Sequence, residues 1–401
     1  MISKESISYS LRNLKNSKGR SALTVFSILI GITTLFIFIS FGIGLYVYID
    51  EIMSDSAANK IMIQAKGSGM PGLDDTFKLT DDDINIIEKT PGVDRASGNY
   101  FKPAQIEQDS IKKYSFLIGY DPQDPQILEI SSIGLEKGRW LRDSDSKKVI
   151  LGYNYLHDDR IFPDAYDLGK KILVQGEELR IIGFLEEVGN PQDDSQIYTT
   201  NNYLLELYPN TTSYAIIVAE SDSENIKEVV ERLEDKLRKS RGQKEGEEDF
   251  YVQSYEELLN SYLGAMNIII GFIIIIALVS VLVSSVNTAN TMITSVLERY
   301  KEIGILKAVG ARNAEIFKIF LFESAFLGFV AGSLGTFFGW LFSSVANGLL
   351  DNLGYGFLSA AFPLYLFVGC ILFATITGAV SGVFPAINAS RTNTVDALRY
   401  E

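Results

Sequence analysis

Four long stretches of the chain contain no Asp, Glu, Lys or Arg and are dominated by apolar residues. These stretches are 21–49, 258–297, 324–350 and 352–390. Each is longer than the ~20 residues that a helix needs to cross the hydrocarbon core of a bilayer. The pattern therefore predicts an integral membrane protein with four transmembrane helices, which we place at residues 21–49, 258–297, 318–350 and 351–390.

In the segment between the first two stretches, residues 50–257, short apolar patterns alternate with polar residues, as in a water-soluble domain. The sequence LTDDDINIIEKTPGV predicts a helix that begins at Thr80 and stops before a Pro-Gly pair. Strand-like runs on either side of Gly176 predict a hairpin. A second helix follows from an apolar stripe made by Ile226, Val229, Val230, Leu233 and Leu237. The expected fold class is an α-helical membrane protein with four transmembrane helices plus a large α+β extracytoplasmic domain between spans one and two.

Basic residues in the short flanks set the expected orientation across the membrane. Five lie within residues 1–20 and five within residues 298–318. Because such residues favour the cytoplasmic side, both flanks and the tail at 391–401 are predicted to be cytoplasmic. Residues 50–257 are then extracytoplasmic, and their 42 acidic and 24 basic residues give this segment a net charge of −18.

The N-terminal flank allows two interpretations. Ile7, Leu11 and Leu14 lie at the spacing of one helical face among basic residues. Residues 1–20 therefore fit an interfacial amphipathic helix on the inner membrane surface. An ordinary basic flank explains the same residues equally well.

The chain has few groups for chemistry of its own. Its single histidine, His157, gives no metal-ligand cluster, and its single cysteine, Cys370, excludes an internal disulfide. The sequence has no G-x-x-x-x-G-K-[ST] loop to hold nucleotide phosphates. We therefore expect no ATP hydrolysis by this chain, no bound cofactor and no nucleic-acid partner. Only Glu323 approaches a span as an ionisable residue; we place it at the interface, which disfavours an ion-coupled carrier.

Small residues recur at helical spacing in the third and fourth spans. They are Gly328, Gly332, Gly335 and Gly339, then Ala374, Gly378, Gly382 and Ala386. Missing side chains let two helices approach closely within a membrane. These rows fit either a sliding or dimer-forming interface or static packing within one chain. A polar stripe on the second span should face other helices, and it consists of Ser280, Ser284, Asn287 and Thr291.

One charged block, ERYKEIGILKAVGARNAEIFKIF, interrupts this apolar half of the chain. On a helical wheel, Glu298 and Glu302 share their face with apolar residues, so the block is not a simple amphipathic helix. Gly310 suits the end of one helix in a left-handed conformation, and Asn313 suits the cap of the next. We therefore predict a helix–turn–helix elbow at residues 298–317.

The sequence ERYKEIGILKAVGARNAEIFKIFLFES resembles the signature of ABC-transporter permeases of the MacB/LolC/FtsX type. The resemblance extends to LRNLKNSKGRSALTVFSILIGI, LEKGRWLRDSDSKKVILGYNYL, DLGKKILVQGEELRIIGFLEE and VFPAINASRTNTVDALRYE. It departs from the family pattern at Leu297, where Thr or Ser is common, and at Thr394, where proline is usual. The resemblance implies a MacB-like core domain outside the membrane and an FtsX-like C-terminal membrane domain.

The resemblance further implies a permease that works with a separate cytoplasmic ABC ATPase subunit, on which ATP and Mg²⁺ are bound. It also implies a homodimer, or a heterodimer with a related permease, within the lipid bilayer. The family's ATPase contact maps onto Glu298, Arg299, Glu302, Ile303, Gly304, Leu306, Lys307 and Gly310. We expect the glutamates to meet basic residues of the ATPase, and Ile303 and Leu306 to fill its groove.

Two functions remain open on this resemblance. One is mechanotransmission, in which ATP binding and hydrolysis move the extracytoplasmic domains to export or extract an amphiphile, a peptide or a lipid-linked substrate. The alternative is an FtsX-like signalling module that activates a cell-envelope enzyme or senses a ligand. The length of the outer segment, 208 residues, favours transport. A stand-alone receptor would leave the elbow without a role.

Overall fold

The computed structural model describes residues 18–53, 59–66, 78–130, 133–223, 225–394 and 397. The chain divides into two compact units. The membrane unit comprises Met1–Leu45, Ala265–Gly348 and Ala360–Glu401, and the outer domain comprises Tyr46–Gly264 and Leu349–Ser359. The predicted interfacial helix at 1–20 lies outside the described residues, apart from its last three positions, which open the first helix.

In chain order, the α-helices of the described part are α1 (Lys18–Met53), α2 (Asp81–Glu88), α3 (Gln126–Ile130), α4 (Asn201–Leu207), α5 (Ile226–Ser240), α6 (Tyr255–Glu298), α7 (Tyr300–Ala308), α8 (Asn313–Asn352) and α9 (Leu364–Ser390). The strands are β1 (Lys60–Ala65), β2 (Val93–Gln108), β3 (Ile111–Tyr120), β4 (Leu135–Gly138), β5 (Lys148–Leu151), β6 (Lys171–Val174), β7 (Glu177–Leu185), β8 (Ile197–Thr200), β9 (Ile216–Ser221) and β10 (Phe250–Ser254). Short 3₁₀ helices occur at Tyr153–Leu156, Asp193–Ser195 and Gly356–Leu358.

Four of the helices in the described ranges are long and apolar enough to cross a membrane, namely α1, α6, α8 and α9. They surround a shared core that includes Ile32 and Phe36 of α1, Val281 of α6 and Ala374 of α9. Phe36 meets the ring of Phe367 edge-on, with 5.0 Å between the ring centroids. The membrane unit is therefore a helix bundle whose apolar residues serve both its core and its lipid-facing surface.

The fourth span begins later than the predicted 351–390. The charge-free run contains the end of α8, a turn and only then α9, because two residues interrupt the helix. Gly354 adopts φ +80°, a left-handed conformation that ends α8. Pro363 is extended and immediately precedes α9. The segment Leu349–Ser359, which contains the end of α8 and part of the turn after it, belongs to the outer domain, where the N–H of Phe357 donates to Gly189 O at 3.2 Å.

The polar stripe of α6 faces α1 at three of its four predicted positions. Ser284 Oγ donates to the carbonyl of Ser27 at 2.8 Å, and Asn287 Nδ2 donates to Ser27 Oγ at 3.2 Å. Thr291 accepts a hydrogen bond from Thr24 at 3.1 Å. Ser280 instead donates to its own helix, at Ile276 O. Hydroxyl and amide groups are thus paired inside the bundle, where lipid offers them no partner.

The outer domain is built on one mixed sheet of order β10-β1-β9-β2-β3-β8-β5-β7-β4, with β6 pairing to β2 and β7. Strand β2 is 16 residues long, and its first part pairs with β9 while its second part pairs with β3. Of its hydrophobic cores, the two largest lie beneath α2 and α5 and between β5, β7, β8 and α4. The long strand joins them into one domain.

Local predictions for this domain are confirmed. Helix α2 follows Thr80, whose backbone N–H donates to the Asp83 carboxylate at 2.9 Å. The hairpin around Gly176 is formed by β6 and β7. The predicted stripe of α5 is buried at Val229, Val230, Leu233 and Leu237. These elements have strong local signals, so their neighbours in sequence suffice to define them.

Candidate functional site

The elbow contains a separate short helix, α7, between the second and third spans. Helix α6 continues to Glu298, and the chain breaks at Arg299 before α7 begins. Helix α7 ends in a Schellman motif, in which Gly310 N–H donates to Lys307 O and Ala311 N–H donates to Leu306 O. Gly310 has φ +108°. The predicted left-handed end of the helix is therefore confirmed.

The start of α8 differs from prediction by one residue. Asn313 is the first helical residue, and Arg312 precedes it in the cap position. The backbone N–H of Arg312 donates to Glu315 Oε2 at 2.9 Å. This is the half of a capping box in which a carboxylate three residues into the helix reaches back to the cap. Glu315 therefore pairs with the N–H of the cap residue, and Arg312 rather than Asn313 holds the cap position.

Helix α7 has one exposed face. Its exposed residues are Lys301, Glu302, Ile305 and Ala308, and the capping residue Val309 is exposed as well. Ile305 is 49% exposed and Val309 is 86% exposed, although both are apolar. Among the predicted coupling residues, Glu298, Glu302 and Gly310 are exposed, and Leu306 is half-buried. The exposed surface is therefore a mixture of two apolar side chains and charged neighbours.

The other face of α7 is turned into the bundle. Ile303 is buried in a core with Phe320 of α8 and Ala386 of α9. Gly304 is also buried, and a Cβ atom added there would lie 2.7 Å from the Cβ of Ala397. Ile303 was predicted to fill a groove of an ATPase, but its side chain already fills a groove of its own chain. The exposed apolar residues are Ile305 and Val309 instead.

Arg299 binds Glu323 inside the membrane unit. Its guanidinium donates to both carboxylate oxygens at 3.1 Å, in the bidentate geometry typical of arginine and carboxylate. The Glu323 side chain is 2% exposed. Glu323 is therefore buried within the bundle, and its position at the membrane interface stays a prediction. A buried carboxylate needs a partner, and the arginine of the elbow provides it.

Lys307 also points to its own chain. Its ammonium donates to the carbonyls of Ser390 at 2.9 Å and Thr392 at 2.6 Å. These carbonyls lie at the C-terminal end of α9, where helix carbonyls lack partners and the helix dipole attracts a cation. Lys307 thereby acts as a cap for α9.

The glycine rows are filled by helices of the same chain. A Cβ added at Gly328 would lie 2.4 Å from the carbonyl oxygen of Ala374, and one at Gly378 would lie 2.6 Å from that of Ser324. Gly332 and Gly382 also face the α8–α9 contact, while Gly335 and Gly339 face Ile32 and Phe36 of α1. Each of these six glycines therefore packs against a helix of its own chain, and the choice between a sliding or dimer-forming interface and static packing stays open.

The outer domain contains an open, largely apolar cavity of about 510 Å³. Its walls include Tyr120, Pro122, Leu128 and Trp140, and Glu129 contributes a carboxylate. Its volume lies within the range of small-molecule sites. No local pattern in the sequence indicates this cavity, because its walls come from the end of β3, from α3 and from the segment after β4.

Glu129 connects this cavity to a partly buried ion network around Lys60. Lys60, whose side chain is 2% exposed, donates to Glu129 at 2.7 Å and to Glu220 at 3.0 Å. Arg95 also binds both carboxylates and Asp124. Burial alone would raise the pKa of Glu220, but hydrogen bonds from Lys60 and Arg95 lower it. The network joins β1, β2, β9 and α3.

The pKa values of two other buried carboxylates, Asp145 and Asp194, are shifted in opposite directions. A hydrogen bond from Arg139 lowers the pKa of Asp145, which also binds Lys148. Burial raises the pKa of Asp194 to about 6, although backbone N–H groups of Val188 and Gly189 donate to it. Within the described ranges, no group of three or more His, Cys, Asp or Glu residues is placed to hold a metal ion.

These features define a multi-pass membrane protein with a large extracytoplasmic domain between its first two spans. A sequence profile of the MacB-like periplasmic core domain matches residues 21–236, and one of the FtsX-like permease C-terminal domain matches residues 274–394. An uncharacterized ABC transporter permease of Methanocaldococcus jannaschii is 33% identical over 98% of both chains. The chain belongs to the ABC transporter permeases of the MacB/FtsX type.

Other relatives are longer. The macrolide export ATP-binding/permease protein MacB of Neisseria gonorrhoeae is 29% identical over 98% of this chain but only 60% of its own length. Among solved structures, the periplasmic region of MacB from Actinobacillus actinomycetemcomitans is 17% identical and covers 53% of this chain and 97% of that one, with a TM-score of 0.42. Membership of this family implies a cytoplasmic ATPase partner in general.

Proposed function

We propose that this chain is the permease subunit of an export-type ABC transporter, driven by a separate cytoplasmic ATPase that binds the exposed face of α7. ATP binding and hydrolysis on that partner would displace the elbow and thereby move the extracytoplasmic domains. The substrate would be an amphiphile, a peptide or a lipid-linked molecule. This chain would bind neither ATP nor Mg²⁺.

The observation that carries the proposal is the exposed face of α7. Ile305 and Val309 are exposed although they lie within a well-packed bundle segment, and Glu302 and Lys301 flank them. Apolar residues at the centre of a charged rim are typical of protein–protein interfaces. The same segment lies within the match to the FtsX-like permease domain.

The outer cavity supports a substrate with an apolar part. Trp140 and Leu128 provide apolar walls, and Glu129 places a carboxylate beside them. An amphiphile could insert its apolar portion there while its polar portion stays in water. The net charge of −18 on residues 50–257 favours a cationic polar portion.

The membrane helices support pairing with a second permease copy. Only 11% of the most apolar window of α6 is buried, against 28% to 39% for the other three spans. Phe272 and Ile276 are among its exposed side chains. We therefore place the contact with a second copy, or with a related permease, along α6. The termini would be cytoplasmic, as the basic flanks predict.

The test is co-purification of an ABC ATPase with the tagged chain from membranes. Val309→Asp introduces a charge at a residue that is 86% exposed at the end of α7, and it should reduce the recovered ATPase at least about tenfold, the scale of one interface hot spot. Glu302→Lys, which reverses a charge on the same face, should reduce it as well. Membrane insertion should be unchanged in both variants.

Tyr114→Asp is the matched control, since Tyr114 is 78% exposed on the outer domain. It should leave the recovered ATPase at the wild-type level. Equal recovery with wild type and Val309→Asp would show that α7 does not bind the ATPase.

A further inference from the structure

We propose that Arg299 and Lys307 are positioning residues that fix the elbow to α8 and to the C-terminal end of α9, so that these three elements move as one body. The inference rests on the proposed function, in which an ATPase displaces the elbow. Both residues were expected to contact the ATPase on the basis of the family resemblance. Their contacts assign them a different role.

The Arg299–Glu323 pair is a stiff connection between the elbow and α8. Both side chains are withdrawn from water, at 13% and 2% exposure, and two parallel hydrogen bonds fix their relative orientation. An exposed ion pair is screened and can exchange partners. A buried pair lacks that freedom, because separating the charges would leave each of them uncompensated. A displacement of the elbow is therefore passed to α8 at Glu323.

Lys307 makes the equivalent connection to α9. Its ammonium binds two carbonyls just where α9 ends, so the lysine holds that end rather than one side of the helix. Lys307 lies in the last turn of α7, whereas Arg299 immediately precedes the first turn. Helix α7 is thus held at both of its ends.

The middle of the elbow is held by close packing. Gly304 has no room for a side chain against Ala397, and Ile303 is buried in the core shared by α8 and α9. A helix held at its start, middle and end cannot pivot about a single point. The inward face therefore transmits displacement, while the outward face with Ile305 and Val309 receives it.

A reversible tether tests the connection to α9. Lys307→Cys and Thr392→Cys are combined in a Cys370→Ala background, and the chain is placed in lipid nanodiscs with the ABC ATPase that co-purifies with it. Loss of the lysine should reduce the maximal permease-stimulated ATP hydrolysis at least about fivefold, while the ATPase concentration for half-maximal stimulation changes less than about twofold.

Bridging the two cysteines with a short bifunctional thiosulfonate should restore roughly half or more of the stimulation, and a reductant should remove it again. A rise in the half-maximal ATPase concentration without a loss of maximal stimulation would instead show that Lys307 contacts the ATPase. Failure of the bridge to restore stimulation would overturn the inference as well.

A charge exchange tests the connection to α8. Arg299→Glu and Glu323→Arg should each abolish stimulation, because each leaves two like charges in a buried site. The double variant restores an opposite pair and should regain stimulation even where a single variant fails to insert. A double variant that inserts and binds the ATPase but does not stimulate it would refute the role of this pair.

The two proposals fail in different ways. If the wild-type chain neither binds nor stimulates an ATPase, the proposed function is wrong. If the wild-type chain stimulates the ATPase and the untethered cysteine variant does so equally well, only the positioning role is wrong.

Discussion

The α8–α9 contact of the membrane unit and the core of the outer domain are packed in opposite ways. The outer core consists of large side chains such as Leu117, Val149 and Phe184, all fully buried between the sheet and its helices. At the contact of α8 and α9, the surfaces instead meet where side chains are missing, at Gly328 and Gly378. Water drives apolar side chains together in the outer domain. Within lipid that driving force is absent, so the helices are held together mainly by van der Waals packing where their backbones approach closely.

Removing a side chain should therefore be most costly in the outer domain. Leu117→Ala should lower the free energy of unfolding of this domain by about 2–5 kcal/mol, because it leaves a cavity in a fully buried site. The measurement is denaturant unfolding of the full chain, followed by Trp140 fluorescence in a Trp340→Phe background. Ile111→Ala, on the exposed start of the same strand, is the control and should cost far less. Equal losses would mean that β3 does not pack as described.

Adding a side chain should be costly in the membrane unit. Gly378→Ala should destabilise the α8–α9 contact by about 1–3 kcal/mol, the usual cost of overpacking. The new Cβ would lie 2.6 Å from Ser324 O and 2.9 Å from Gly328 Cα. Both are backbone atoms, so no change of side-chain rotamer can relieve the overlap. Detergent-induced unfolding followed by Trp340 fluorescence in a Trp140→Phe background measures this effect.

The matched control for this substitution lies on the same helix. A Cβ added at Gly369 would meet no atom within 4 Å. Gly369→Ala should therefore be neutral or slightly stabilising, since alanine favours helix more than glycine does. A similar loss for both glycines would mean that helix propensity rather than close contact sets the cost.

Buried carboxyl groups should make the stability of the outer domain depend on pH, by a smaller amount than the two substitutions above. The folded-state pKa of Asp194 is raised to about 6, so its contribution to stability is complete below about pH 4 and is lost as the pH rises through 6. Asp194→Asn stays neutral throughout. The melting temperature of this variant relative to wild type should therefore increase between pH 4 and 7 and then level off.

Asp145 provides a control of opposite sign. Its pKa is lowered by Arg139, so its contribution is present above about pH 4 and is lost on acidification. The melting temperature of Asp145→Asn should lie below that of the wild type, and this difference should shrink as the pH falls below 4. The same trend with pH in both variants would contradict the assigned environments.

Local elements of the fold could be predicted where neighbouring residues define them. The cap after Thr80, the hairpin at Gly176 and the end of α7 at Gly310 all depend on interactions over a few residues. The start of α9 could not be read from charge alone, because the turn before it is as uncharged as a span. Gly354 and Pro363 mark that turn.

The sequence predicted an elbow where the structure has the short helix α7, but it did not distinguish the two faces of that helix. Both faces of α7 mix charged and apolar residues, so periodicity does not distinguish them. Glu323 was the one available signal, as an acidic residue at the edge of an uncharged span. Its partner lies 24 positions away, and only the packing of α7 against α8 brings Arg299 to it.

The sequence by itself determined the four spans, the outer α/β domain and the position of the elbow, because hydrophobic length, periodicity and turn residues act locally. Only the tertiary structure decided which elbow residues face inward. Arg299 faces the bundle because it pairs with the buried carboxylate of Glu323. Gly304 faces it because Ala397 packs closely against it, and Lys307 because it binds a carbonyl at the end of α9. Those partners come from distant parts of the chain, so no local pattern of residues can reveal them.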